Sequence, residues 1–291
     1  MTLEGLWCFC AILDSGSFRA AAVQVHRSQP AVSQQLKSLE AELGHPLIER
    51  STCRPTPVGQ LLYARARKIL LEVETLSREV LDFAEGGSGE LHVGTSDTTA
   101  LYVLPPHVRR FAERLPGTRL VIVNRSSDAI VDQVRQGDLD IGIVSLPVDQ
   151  PDIEEHPLFE QRLVLVVPKE HRFAGRNRVE LKSLSEEPLL MLERTTRTGA
   201  LLRDFLQLED FTPRTLLDSG SFEVIKRYID AGVGLSFLPE SVVTPSDEGL
   251  SCVAVRGLPT VMIGAIWRRA AYRSKASKVF LELVSEGSSI K

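Results

Sequence analysis

The chain has 291 residues, 43% hydrophobic and 25% charged, with 34 Lys and Arg against 38 Asp and Glu. This balance excludes a disordered polypeptide, and the length suits two or three domains. No run of about 18 apolar residues marks a membrane-spanning helix.

The net charge of −4 is unevenly spread: residues 16–68 carry +5 and the remainder −9. A phosphate-binding segment needs only a local basic face, so a small basic domain joined to an acidic one is expected. Glu4 stands where a secretion signal needs base, and helical periodicity begins at once, which places the chain in the cytoplasm with no membrane partner. The four cysteines, Cys8, Cys10, Cys53 and Cys252, are too scattered for a disulfide framework or a metal site. Cys8 and Cys10 read as buried small hydrophobes. Cys53 lies between Arg50 and Arg54, which leaves a redox role open beside a structural one.

Leu6, Phe9, Cys10 and Leu13 recur at helical spacing, predicting a helix over 3–14 that Asp14-Ser15-Gly16-Ser17 breaks. Ser17 caps a second helix over 18–25, where Ala20, Ala21 and Ala22 permit close helix contact. Ser28 caps a third, with Pro30 in its first turn, Val32, Leu36, Leu39 and Leu43 on its apolar side and Gly44 at its end. The opposite side presents Ser28, Gln29, Ser33, Gln34 and Lys37, uncharged or basic groups that suit base edges and phosphates. A plain solvated face is the alternative. The pairing with an alanine-rich helix and the local positive charge favour a helix-turn-helix on DNA. Pro46–Arg50 and Thr56-Pro57 read as two short extended pieces of a wing carrying Arg50 and Arg54, which contact DNA or remain surface charges.

The run Phe18–Ala22, Ser28–Leu36, Leu39-Glu40, Leu43-Gly44, Arg50 and Thr56–Gly59 resembles the winged helix-turn-helix of LysR-type transcriptional regulators over about sixty residues. Ile48 stands where that family usually has Phe, and Cys53 falls inside the wing. The resemblance implies double-stranded promoter DNA as a partner, contacted by Ser28, Gln29, Pro30, Ser33, Gln34, Lys37, Arg50 and Arg54. RNA polymerase is a further partner if the outcome is activation.

Leu62, Ala66, Ile69, Val73, Leu76, Val80 and Phe83 follow alternating steps of four and three within one helix over 58–84. This is a heptad seam for a second subunit, or a face for the chain's own domain. Glu85-Gly86-Gly87-Ser88-Gly89 then reads as a hinge. Similarity to LysR-type proteins implies a dimer, and a tetramer as a pair of dimers.

From residue 90, strands at 91–94, 119–124, 139–144, 163–167, 189–192, 215–217, 235–238, 251–255 and 261–267 alternate with helices at 100–115, 129–136, 199–208, 221–231 and from 274. The pattern predicts parallel sheets wrapped by helices. If the chain crosses at Gln161-Arg162 and again at Trp267-Arg268, it makes two lobes: lobe I at 90–161 and 268–291, lobe II at 162–267. This resembles the effector domain of LysR-type regulators, itself similar to solute-binding proteins.

Ligands in such sheets sit beyond the carboxyl ends of the strands. The hydroxyl-rich loops there supply Thr95, Ser96, Asp97, Thr98, Thr99, Ser145, Thr195, Thr196, Arg197, Ser219 and Phe222 as candidate effector residues, with helix capping as the alternative for each. Hydroxyls and a guanidinium suit a small anion, whereas Asp97 opposes one.

The sequence thus predicts an α/β protein: a winged helix-turn-helix at 1–59, a linker helix and hinge at 60–89 and an effector-binding domain at 90–291. A solute-binding protein would not need the N-terminal eighty-odd residues. An enzyme is disfavoured, since no nucleophile elbow, phosphate loop or metal-spaced His/Cys set occurs, and no cofactor is expected.

Overall fold

The computed structural model describes residues 1–85, 89–269 and 271–286, without the side chains of 78–79 and 81–85. It forms two compact units, Met1–Ala84 and Glu85–Lys291.

In the first unit, α1 (Leu3–Ser15) starts where the Thr2 hydroxyl accepts from the Gly5 N–H and ends at Gly16, whose φ of 67° is left-handed. Ser17 and Ser28 cap α2 (Phe18–Gln24) and α3 (Gln29–Leu43) by accepting from Ala20 and Ala31 N–H. Of the three alanines, Ala21 and Ala22 make the close helix contact, and Ala20 is exposed. The wing is a minimal hairpin, β1 (Ile48–Glu49) against β2 (Arg54–Pro55). Its second strand precedes the expected Thr56-Pro57, because Thr56 and Pro57 instead start α4 (Pro57–Glu85). Leu6, Phe9, Ile12, Val32, Leu36, Leu39, Leu47, Ile48 and the first turns of α4 share one core. Both Cys8 and Cys10 are buried, and burial pushes the Cys10 thiol up to about 12.

The second unit runs β3 (Gly89–Thr95), α5 (Asp97–Tyr102), α6 (Leu104–Arg114), β4 (Thr118–Asn124), α7 (Ser127–Gln136), β5 (Ile141–Ser145) and β6 (Ile153–Pro168). It continues β7 (Arg178–Val179), β8 (Pro188–Leu192), α8 (Arg197–Leu208), β9 (Arg214–Ser219), α9 (Phe222–Asp230), β10 (Ser236–Pro239), β11 (Leu250–Val255), β12 (Thr260–Arg268) and α10 (Lys275–Glu286). Pro105 and Pro106 lie in the first turn of α6, where a missing N–H costs nothing, so they restart the helix after α5. Of the expected hinge, residues 86–88 lie outside the described residues, and Gly89 already belongs to β3.

The sheets are mixed, not purely parallel. Strand β3 is parallel to β4 and β5, and β8 is parallel to β9. By contrast, β6 and β12 are antiparallel to each other, β12 to β5, and β6 to β10 and β11. Strand β6 is 16 residues long, although only 163–167 has the apolar run of a buried strand. Its first part pairs with β12 from Ile153 opposite Arg268 to Arg162 opposite Thr260. Its second part pairs with β10 and β11 from Leu163 onward. Strand β6 therefore changes partners between Arg162 and Leu163. The return falls at 256–259 instead of at Trp267-Arg268, because β12 belongs to the first lobe's sheet beside β5. Antiparallel pairing between residues a hundred apart leaves no local signature in the sequence.

Gly59 sets how closely α4 approaches the wing root. A Cβ there would sit 2.0 Å from the Leu47 carbonyl oxygen, a backbone atom with no freedom to yield. Gly59→Ala should destabilise the first unit by about 2–4 kcal/mol. Urea unfolding followed by helical circular dichroism would measure it, and an unchanged midpoint would refute the close approach.

Candidate DNA-contacting face and effector cleft

Helix α3 buries Val32, Leu36 and Leu39, so its other side is solvent-facing. Ser28, Gln29, Pro30, Gln34 and Lys37 are exposed there and Ser33 is half-buried. None of Arg19, Lys37 and Arg54 has an ion-pair partner among the described residues. Arg50 differs from the expectation of a free contact: its Nη2 donates to Glu40 at 2.9 Å, and Glu40 also accepts from Leu47 N–H at 2.9 Å. That pair pins the wing root to α3. Cys53 takes the left-handed turn of the wing at φ 53°, with its N–H bonded to the Glu49 carbonyl.

The α4 seam divides in two. Ala66 is fully buried, and Leu62 packs beside it against the first unit's own core. Ile69, Val73, Leu76 and Val80 lie 37–59% exposed. The Phe83 side chain lies outside the described residues. The seam thus serves the chain's own unit at its start and presents an unpartnered apolar stripe beyond.

In the second unit, the strand ends after β3, β4, β8 and β9 all turn into helices through hydroxyl caps: Ser96, Ser126, Thr196 and Ser221. The two lobes bring these four turns around one cleft of about 430 Å³. Ser96, Asp97, Thr98, Ser145, Thr195, Thr196, Arg197 and Phe222 line it. Thr95, Thr99 and Ser219 do not. Thr95 is fully buried with its hydroxyl on the Ile143 carbonyl, Thr99 bonds Ser96, and the Ser219 hydroxyl accepts from Ser221 N–H. Capping and ladder geometry explain these three.

The sequence reading missed Asn124, Arg125, Ser126 and Ser127 after β4, together with Gln161, Glu193, Thr198, Ser221, Glu223 and Ile263. The first four had a signal: they follow a predicted strand and precede a helix, as the chosen loops do. Gln161 had none, since only the long register of β6 brings it to the cleft.

Arg197 is not free for a ligand anion. Its guanidinium donates to Asp128 twice, at 2.9 and 2.8 Å, and to the Ser145 and Pro147 carbonyls at 2.7 Å each. It reaches from α8 in lobe II to three groups of lobe I. A second bridge centres on Lys226, 5% exposed on α9. Its Nζ donates to the Tyr102 hydroxyl at 2.7 Å and the Val242 carbonyl at 2.9 Å, and lies 3.3 Å from both Glu223 and Asp247. Burial disfavours the ammonium, but the Tyr102 bond and the two carboxylates outweigh it and hold its pKa raised. The Tyr102 hydroxyl also contacts Glu223.

A winged helix-turn-helix with a bare polar face, followed by a two-lobed cleft domain, defines a regulator that joins DNA reading to ligand binding. The comparisons agree across the chain. Residues 3–60 match the bacterial regulatory helix-turn-helix protein, lysR family, and residues 84–289 match the LysR substrate binding domain. The DNA-binding transcriptional dual regulator OxyR of Escherichia coli is 30% identical over 277 residues, covering 92% of this chain and 90% of that protein. The hydrogen peroxide-inducible genes activator of Dickeya chrysanthemi is 32% identical over 254 residues, covering 85% and 82%. The structure of a full-length OxyR cysteine-to-aspartate variant from Pseudomonas aeruginosa superposes with a TM-score of 0.76 at 27% identity, covering 98% of this chain and 94% of that one. The chain belongs to the LysR family of transcriptional regulators. It is a DNA-binding, effector-responsive transcriptional regulator, not an enzyme. Among the described residues no helix is long and apolar enough to cross a membrane.

Arg197→Ala removes four hydrogen bonds that span the lobes and leaves Asp128 unpaired. It should destabilise the second unit by about 1–3 kcal/mol in chemical denaturation of the full chain. Arg197→Lys should recover only part, because an ammonium cannot reproduce the planar fork.

Proposed function

We propose that α3 reads operator DNA in the major groove through Gln29, Ser33 and Gln34, with Ser28, Pro30 and Lys37 against the backbone and Arg54 at the wing. The observation that carries this reading is the solvent-facing side of α3, built of amide, hydroxyl and ammonium groups with no acid at its N-terminal half. Arg50 acts by holding the wing in place through Glu40 as well as by lending charge. The exposed stripe Ile69, Val73, Leu76 and Val80 pairs with a second copy, so that two α3 helices address two half-sites. Pairs of dimers form the tetramer. The protein acts in the cytoplasm, and RNA polymerase is its further partner where the outcome is activation.

The cleft holds the effector, gripped by loops of both lobes, and domain boundaries near 59, 89 and Arg162 separate reading, pairing and sensing. Ligand occupancy biases the lobes through the two bridges, Arg197 to Asp128 and Lys226 to Tyr102; only a ligand that prefers one lobe arrangement shifts the equilibrium. The peroxide named for the relatives is not favoured here. Thiol sensing needs a thiolate near its oxidant, and Cys8, Cys10, Cys53 and Cys252 are all absent from the cleft lining. Among the described residues Arg125 is the cleft cation that no carboxylate engages, so any anionic group of an effector would meet it there.

Gel shifts against the chain's upstream region should show binding that weakens as salt rises. A Gln29→Ala, Ser33→Ala, Gln34→Ala triple variant should lose discrimination of operator from random DNA by about a hundredfold or more. Full discrimination in that variant would remove α3 as the reader. Leu76→Asp should sediment as a monomer at concentrations where the native chain is dimeric, while an intact dimer would assign assembly to another surface.

A further inference from the structure

We propose that the cleft takes a small ligand carrying a protonated amine together with hydroxyl or amide groups. This rests on the cleft being the effector site. Three polar side chains line its interior while more than nine-tenths buried: Thr98 at 5%, Thr198 at 7% and Gln161 at 7% exposure. None has a side-chain hydrogen-bond partner among the described residues. Their polar atoms are not sealed from solvent and have the cavity instead of a protein partner, so a ligand entering it can meet three convergent donors and acceptors in place of water.

The charge around them sets the ligand's sign. Arg197 is neutralised by Asp128, and Glu223 lies beside Lys226. That leaves Arg125 against Asp97 and Glu193. Arg125 makes its one side-chain bond to the neighbouring Asn124 carbonyl at 2.7 Å. Asp97 and Glu193 have no cation partner among the described residues, where the Glu193 carboxylate accepts only from the Thr195 hydroxyl at 3.1 Å. Asp97 favours the start of α5 where it stands. Glu193 directly follows β8, and its carboxylate lies alongside Gly220, where an added Cβ would come within 3.4 Å of its Oε2. The unbalanced charge is negative, and an ammonium placed between Glu193 and Asp97 restores neutrality with charge-assisted hydrogen bonds.

The test is thermal stabilisation of the full-length protein by matched pairs in which a hydroxyl replaces the amine: glucosamine against glucose, ethanolamine against ethylene glycol, γ-aminobutyrate against γ-hydroxybutyrate, with succinate as the anion. At least one amine should raise the melting midpoint with its hydroxyl partner inert. Glu193→Gln should weaken that amine about tenfold or more by calorimetry, while Glu209→Gln, at the exposed end of α8 and outside the cleft lining, does not. Equal shifts by both members of each pair, or no shift by any probe, overturn the assignment. So does an amine effect that survives intact in Glu193→Gln. Stabilisation by succinate alone also overturns it, yet leaves the cleft as the effector site. Operator binding in the same samples reports separately on the regulatory reading.

Discussion

One strand holds the sensing half of this protein together. Strand β6 runs unbroken from one lobe's sheet into the other's, and β12 accompanies its first part back. Because a strand is stiff along its length, this shared spine fixes which loop ends can face one another. The four hydroxyl-capped turns then meet at one cleft as a consequence of topology. Each cap is there because a helix needs one, and the cleft is there because the spine aligns the caps. Gln161 shows the same logic from the strand side: it sits one residue before the crossing and is thereby delivered to the floor of the cavity.

The charged groups of the cleft divide into those that answer one another and those that do not. Arg197 with Asp128, and Lys226 with Glu223, Asp247 and Tyr102, form closed sets that tie lobe to lobe. Such partly buried pairs contribute little net stability beyond their geometry, but breaking one side leaves the other stranded. They are therefore well suited to make lobe arrangement a choice between discrete states and less suited to hold a ligand.

Much of the fold was legible. Helix boundaries followed Ser17, Ser28 and Gly44 to within a residue or two, since capping chemistry is local. Which side of α3 faces solvent was legible for the same reason: its apolar complement repeats at helical spacing. What stayed hidden depended on distant partners. The first half of β6 alternates too many acids to look like a strand until β12 lies beside it. Arg197 looked like an anion ligand because nothing in its neighbourhood of sequence announces Asp128, sixty-nine residues earlier. Lys226 sits among Ile225 and Ile229 and gave no sign of the Tyr102 hydroxyl waiting across the lobes.

Helix α4 is anchored at one end and bare at the other, with Ala66 sealed in the first core and Leu76 open to solvent. A rigid helix of this kind is a phase clock. Each residue added between the two turns its apolar stripe by about 100° relative to the α3 reading face. With the stripe paired to a second copy and α3 on the duplex, as proposed, an insertion that did not restore the seven-residue repeat would aim the partner's reading helix at the wrong side of the duplex, with every contact inside each protomer intact. On that proposal the spacing of the two half-sites is written in the length of α4, before any ligand reaches the cleft.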